Sequence, residues 1–157
     1  MRKNKRIALM ISSFLPNMGG MEVGLHNIAI RLSALGFEPV VICPYSCARS
    51  VKVKEWSLPY KIEPMPPKIF SLLKFWPYLG LKLFDLYLLH LNKKYNFSFW
   101  HVTMAYPTGY AIVSFAQRMN NNINFLIRCA GEDIQKFPDI SYGMRLDPKL
   151  DQKINAT

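Results

Sequence analysis

Short apolar runs alternate along this chain with longer segments whose apolar residues recur every three or four positions. Ile7-Ala8-Leu9-Met10-Ile11-Ser12 is the first run, continuous enough to predict a strand buried on both faces of a sheet. From Met21 the pattern changes. Met21, Leu25, Ile28, Ala29, Leu32 and Leu35 fall on one face of an α-helix, and Gly36 is placed to cap its C-terminus. Pro39-Val40-Val41-Ile42-Cys43, closed by Pro44, predicts a second buried strand, so residues 7–43 make a strand, turn, helix, strand unit of Rossmann type with right-handed parallel pairing.

Residues 45–68 are less regular and rich in Pro and Lys, with a short strand around Tyr60 to Ile62. Ile69 to Tyr95 is helical in composition, and Pro77 and Gly80 divide it in two, Pro77 being tolerable at a helix start. Lys82, Asp85, Asn92 and Lys93 gather in one polar stripe on the second helix, which predicts that the remaining apolar surface is buried. Phe97 to Thr103 predicts a strand, Pro107 to Met119 a helix with Ala111, Phe115 and Ala116 inward, and Ile123 to Arg128 a strand after the Asn120-Asn121-Asn122 turn. Asp147-Pro148 opens a last helix that is expected still to be running at Thr157. This alternation predicts an α/β fold: a Rossmann-like parallel sheet with helices on both faces and residues 7–12, 39–43, 97–103 and 123–128 as its central strands.

Composition adds limits. The 157 residues are the size of one domain, and 50% hydrophobic with 19% charged residues is the balance of a folded chain without low-complexity tracts. The formal net charge of +10 is uneven: residues 1–100 hold fourteen basic and five acidic side chains, residues 101–157 six and five. The front of the chain should attract phosphate groups or an anionic surface. No nucleic-acid-binding module accompanies this charge, so nucleic acid is not an expected partner. Cys43, Cys47 and Cys129 lie in no zinc-like pattern and are expected to be buried free thiols, in keeping with a reducing compartment. Arg2, Lys3, Lys5 and Arg6 before an apolar run resemble the start of a signal peptide, but the run is short and leads into Pro16-Asn17-Met18-Gly19-Gly20 without a small-residue cleavage site. The most apolar stretch, 69–91, is broken by Lys74, Pro77, Lys82 and Asp85, so no spanning helix is predicted.

Ligands of open parallel sheets bind beyond the carboxyl ends of the strands, which directs attention to the loops 13–22, 101–108 and 129–137. Gly19-Gly20 precedes a helix, where bare backbone and free N–H groups suit a phosphate, or where the chain simply turns. Glu22 can stabilise the positive end of that helix or lie in a cleft. His101 closes a strand and could bind a hydroxyl or move a proton, unless it is structural; His26 and His90 lack this placement. Gly131-Glu132-Asp133 sets two carboxylates at the same edge, either for sugar hydroxyls and acid/base chemistry or as a solvated turn in which Asp133 caps a helix.

Three segments together resemble the N-terminal domain of the family 4 glycosyltransferases, retaining enzymes of the GT-B fold: Phe14-Leu15-Pro16-Asn17-Met18-Gly19-Gly20-Met21-Glu22, then Phe99-Trp100-His101-Val102 with Pro107 and Gly109, then Arg128-Cys129-Ala130-Gly131-Glu132-Asp133-Ile134. The resemblance implies one half of a two-domain protein with the catalytic cleft between the halves. Residues 1–157 would be the N-terminal, acceptor-side domain, ending inside its last helix, and a C-terminal donor-binding domain with its paired glutamates and basic residues would be absent. It further implies His101 and Asp133 as catalytic, Gly19 and Gly20 against the donor diphosphate, and Glu22, Arg128, Gly131 and Glu132 as acceptor- or sugar-binding, without metal or cofactor. Many relatives carry His-Gly where this chain has Ala130-Gly131, so that histidine's contact is absent or supplied elsewhere.

The function so implied is transfer of a hexosyl unit from a nucleotide-diphosphate sugar to a glycan or lipid-linked acceptor in bacterial surface polysaccharide or lipopolysaccharide synthesis. The expected location is the cytoplasm, peripheral to the inner face of the cytoplasmic membrane. Phe70, Phe75, Trp76, Tyr78 and Phe84 among lysines in the 69–94 segment suggest contact with an anionic membrane. The rival for that segment is burial against the sheet or a further domain, and the rival for the chain is a non-catalytic domain that binds a partner or membrane.

Overall fold

The computed structural model describes residues 5–53, 57–120 and 122–157; Arg2 and Lys3 of the basic leader and Asn121 of the predicted turn lie outside them. Five segments form strands β1 (Arg6–Met10), β2 (Glu38–Pro44), β3 (Lys61–Met65), β4 (Phe99–Thr103) and β5 (Phe125–Arg128). All neighbours pair in parallel, in the order β3-β2-β1-β4-β5. Helices α1 (Gly20–Ala34) and α2 (Tyr45–Val53) cover one face, and α3 (Ile69–Phe75), α4 (Pro77–Tyr95) and α5 (Tyr110–Arg118) the other. This is the α/β architecture that the alternation of runs predicts. It also places β1 beside β4 at the switch point of the sheet, where the chain's winding reverses.

The strand alternation divides the core. Leu9, Ile11, Val41 and Cys43 meet Leu25 and Ala29 of α1 and Cys47 and Val51 of α2. Ala8, Met10, Val40, Ile42, Trp100 and Val102 meet Leu73, Phe84, Leu88 and Phe115 on the opposite face. Trp100 is the aromatic centre of that layer, edge-on to Phe97 at 4.8 Å and to Phe115 at 5.8 Å.

Several expectations need correction. Residues 45–53 are helical, because Cys47 and Val51 stand one turn apart and turn inward together. The strand run 123–128 is an edge strand, not a central one, and Leu126 is 53% exposed on it. The helix expected from Pro107 begins with a wide turn, Ala105–Gly109, broken by extended backbone at Tyr106. Leu35 is exposed, because α1 has ended: Gly36 N–H donates to Ser33 O and Phe37 N–H to Leu32 O, the paired bonds of a Schellman cap. Cys129 is exposed, whereas Cys43 and Cys47 are buried free thiols as expected. The last helix, α6 (Pro148–Asn155), is capped by the Asp147 carboxylate and closes at Asn155, where it was expected to continue through Thr157.

The 69–95 segment divides at Trp76, with Pro77 opening α4. Gly80 has a different role from the one expected, since it lies inside α4. A Cβ there would stand 2.6 Å from the Leu73 backbone nitrogen, so glycine lets the backbones of α3 and α4 touch. Asp85 does not face water: it is buried and accepts from Arg118 at 2.9 Å. Leu79, Leu83 and Leu86 are exposed instead.

Candidate functional site

Because all strands are parallel, the loops after β1, β4 and β5 lie along one edge of the sheet, with Gly20 and Gly131 at the same end. The crevice between β1 and β4 opens at this edge. Ser12 Oγ donates to Met104 Sδ across it at 3.1 Å.

Helix α1 begins over one side of the crevice. Its N-cap is Gly19, and no side chain caps it. Glu22, one turn in, is buried and folds back so that Oε2 lies 2.5 Å from where a Gly19 Cβ would be. The missing side chain at Gly19 is thus used internally, to make room for a carboxylate that favours the positive end of the helix. Gly20 differs: a Cβ there would meet nothing within 4 Å. Its bareness serves no packing purpose among the described residues and leaves the first N–H groups of α1 open to approach from outside.

His101 shares its sheet face with α1, paired in register with Leu9 and Leu126. Its Nε2 is buried without a hydrogen-bond partner among the described residues, as is Oγ1 of Thr103 two residues on. Burial, and then the positive charge of Arg128, lower the His101 pKa from its ordinary value of 6.5, so the ring is neutral at pH 7. Arg128 lies beside Gly24 of α1, where a Cβ would come within 3.3 Å of its Nη1, and among the described residues no carboxylate pairs with it. A neutral imidazole, an uncompensated guanidinium, an orphan hydroxyl and a helix N-terminus therefore share one region. Together they suit a ligand bearing both hydroxyls and negative charge.

Asp133 is fully buried. One carboxylate oxygen accepts from Ala105 N–H at 2.6 Å and the other from Ala130 N–H at 2.8 Å, tying the loop after β5 to the loop after β4. With both oxygens held by backbone donors it is a positioning residue in this arrangement, not an open acid or base. The turn at Gly131 leads to no helix, so Asp133 is not a helix cap either; Glu132, its neighbour, is exposed. Of the expected site residues, the fold thus gathers Gly19, Gly20, Glu22, His101 and Arg128 around α1, while Asp133 stands behind the loops that carry Gly131 and Glu132. Thr103, Ser12 and Gly24 were not singled out from the sequence, although Thr103 stands two residues after His101 on the same strand face. His26, on α1, is half-buried, with Nδ1 2.6 Å from Tyr60 Oη.

A cavity of about 670 Å³ lies elsewhere, between α2 and β3, lined by Tyr45, Ala48, Arg49, Lys52, Tyr60 and Ile62. It sits over an edge strand, and none of the orphan buried polar atoms among the described residues lies in its lining. The crevice is the stronger candidate on chemistry.

Comparison with solved structures adds a parallel. A glycosyltransferase from Rickettsia africae ESF-5 superposes with a TM-score of 0.58 at 19% sequence identity, over 88% of this chain and 32% of that one. The chain has the fold of part of a glycosyltransferase. It spans about a third of that enzyme's length. No family model matches the sequence, and no curated protein matches it.

Proposed function

We propose that this chain is the acceptor-side, N-terminal half of a retaining glycosyltransferase of the GT-B type. It would act with a second Rossmann-like domain to move a sugar from a nucleotide-diphosphate donor to a glycan or lipid-linked acceptor. The observation that carries the reading is the open backbone at Gly20 on the same helix as Gly24, which lies against Arg128, a guanidinium that no carboxylate among the described residues pairs, with neutral His101 near it, at the switch-point edge of a sheet whose fold is shared with a glycosyltransferase. The α1 N-terminus would meet the donor diphosphate. His101 Nε2 would meet a sugar hydroxyl, and Arg128 would supply positive charge near the transferring group. Asp133 would hold the two loops in register, with Glu132 and Gly131 at the sugar-facing side.

Catalysis between two domains depends on groups from both being fixed around the reacting bond. This chain alone is therefore expected to hold a sugar nucleotide feebly and not to turn it over. The test compares it with a longer protein carrying the second domain, using a panel of sugar nucleotides and a lipid-linked acceptor. Transfer by the longer protein alone is the expected result. Equal transfer by both would overturn the two-domain reading, and inactivity of both would favour a non-catalytic domain.

A further inference from the structure

Helix α2 leaves a trough beside the outer strand of the sheet. Its inward residues, Cys47 and Val51, are buried, while Tyr45, Ala48, Arg49 and Lys52 recur at three- and four-residue spacing and form one stripe turned towards β3. On the strand side Tyr60, Ile62 and Pro64 alternate onto the same face, as every second residue of an extended chain does. Because β3 is the edge of the sheet, no further strand among the described residues closes the outer side. The space between the two rows is the cavity of about 670 Å³, within the range of ~300–1,000 Å³ that holds small molecules.

The cavity has an apolar floor and a positive rim. Tyr60 is buried and Ala48 and Ile62 are half-buried, whereas Arg49 and Lys52 are exposed at the mouth and have no carboxylate partner among the described residues. The one acid of β3, Glu63, falls on the opposite face, where Lys94 and Tyr95 donate to it. The floor is also held in place. Tyr60 Oη lies 2.6 Å from Nδ1 of His26 on α1, so the hydroxyl is satisfied and the ring is left as an apolar wall. A strand from another protein does not suit this edge, because Lys61 and Pro64 are the residue types that discourage strand addition.

We infer that this cavity binds a small amphipathic anion, with an apolar body against Ala48, Tyr60 and Ile62 and a carboxylate or phosphate-ester head at Arg49 and Lys52. The two cations stand three positions apart on α2 and are neighbours on its surface, so one anionic head meets both. The stripe from Tyr45 to Lys52 runs about 10 Å along the helix axis, room for a short alkyl chain laid beside it. A sugar nucleotide has no such apolar body and belongs in the crevice, whose walls carry hydrogen-bonding groups. In sheet order β3 is two strands from β1 and three from β4, so the two sites are separate. Binding here needs no sugar donor and does not rest on the transferase reading.

The test is an amide NMR titration of the chain with octanoate and with octyl phosphate, each below its micellar concentration, beside neutral octanol and acetate. At least one of the two amphipathic anions should give saturable shifts at Ala48, Arg49, Lys52, Tyr60 and Ile62, and the tighter of them identifies the head. Octanol should bind roughly tenfold more weakly, and acetate should give no saturable shift. Arg49→Gln with Lys52→Gln should weaken the anion roughly tenfold and leave octanol unaffected, whereas Lys74→Gln with Lys82→Gln, the same charge change elsewhere, should do much less. Ala48→Phe should fill the trough and exclude every chain, with the melting temperature checked alongside; the Arg49 and Lys52 pair, both exposed, keeps the test valid if that variant is unstable. Absence of saturable shifts, equal affinity for octanol and the anions, or equal losses from the two charge-neutralising pairs would overturn the proposal. So would shifts as strong at Leu79, Leu83 and Leu86 of α4 as in the cavity, because the chain would then be adsorbing to any exposed apolar surface.

Discussion

Two regions of this molecule depart from the ordinary distribution of polar and apolar groups, and they depart in opposite directions. Around the crevice, polar groups are drawn inside: Asp133 and Glu22 are buried carboxylates, and His101 Nε2 and Thr103 Oγ1 are buried without partners. On the outer side of α3–α4, apolar groups are left outside. The first departure is partly compensated, since Asp133 satisfies two backbone donors, and partly open, since the imidazole and hydroxyl satisfy none. Among the described residues nothing compensates the second. Sites where local rules fail are where function is to be sought.

The contrast can be broken most forcefully at Asp133. Asp133→Ala leaves the Ala105 and Ala130 amides without their acceptor, and two charge-assisted bonds, one buried and one part-buried, are worth about 3–5 kcal/mol together. Urea unfolding should register a loss of that order, with Asp133→Asn intermediate; a loss below about 1 kcal/mol would mean the loops are held some other way. Gly80→Ala comes next. The methyl group must displace the Leu73 backbone, so a destabilisation of about 1–3 kcal/mol should outweigh the gain of about 1 kcal/mol in helix propensity, again measured by unfolding.

His101 supplies a subtler test. Its folded pKa lies below the unfolded value, so the native state binds fewer protons, and stability is full above pH 6.5 and falls as the pH drops through the window below it. His101→Gln should flatten that dependence. Arg128→Gln should raise the His101 pKa, followed by NMR titration of the ring. The smallest effect belongs to the outer face: Tyr78→Ser should change the melting free energy by no more than about 0.5 kcal/mol, because the ring packs against little. A large loss would show that Tyr78 is structural.

Much of this was legible in the sequence because it depends on local periodicity. The runs at β1, β2 and β4 and the spacing in α1 identify themselves, and their alternation dictates a parallel sheet. Position in the sheet is not local: Phe125 and Leu126 look as apolar as Val40 and Val41, yet only the latter have strands on both sides. Helix α2 was missed because two inward residues, Cys47 and Val51, carry its pattern among polar ones. The role of Asp133 depends on Ala105, 28 positions away, and no spacing rule connects them. Likewise the six Phe, Trp and Tyr residues in the 69–94 segment look alike in sequence, and only the phase of α4 against the core separates buried Phe84 from exposed Tyr78.

The central claim is that the crevice at α1 receives the diphosphate of a sugar nucleotide, and Gly20 tests it most directly. Its Cβ would meet nothing within 4 Å among the described residues, so Gly20→Ala should leave stability unchanged or slightly raised while narrowing the approach to the helix N-terminus. The measurement is an amide NMR titration of wild-type chain and Gly20→Ala with a nucleotide-diphosphate sugar. The account predicts shifts concentrated at Gly19, Gly20, His101 and Arg128 in the wild type and their loss in the variant. Shifts confined to the Tyr45–Tyr60 cavity, or an undiminished response from Gly20→Ala, would contradict it.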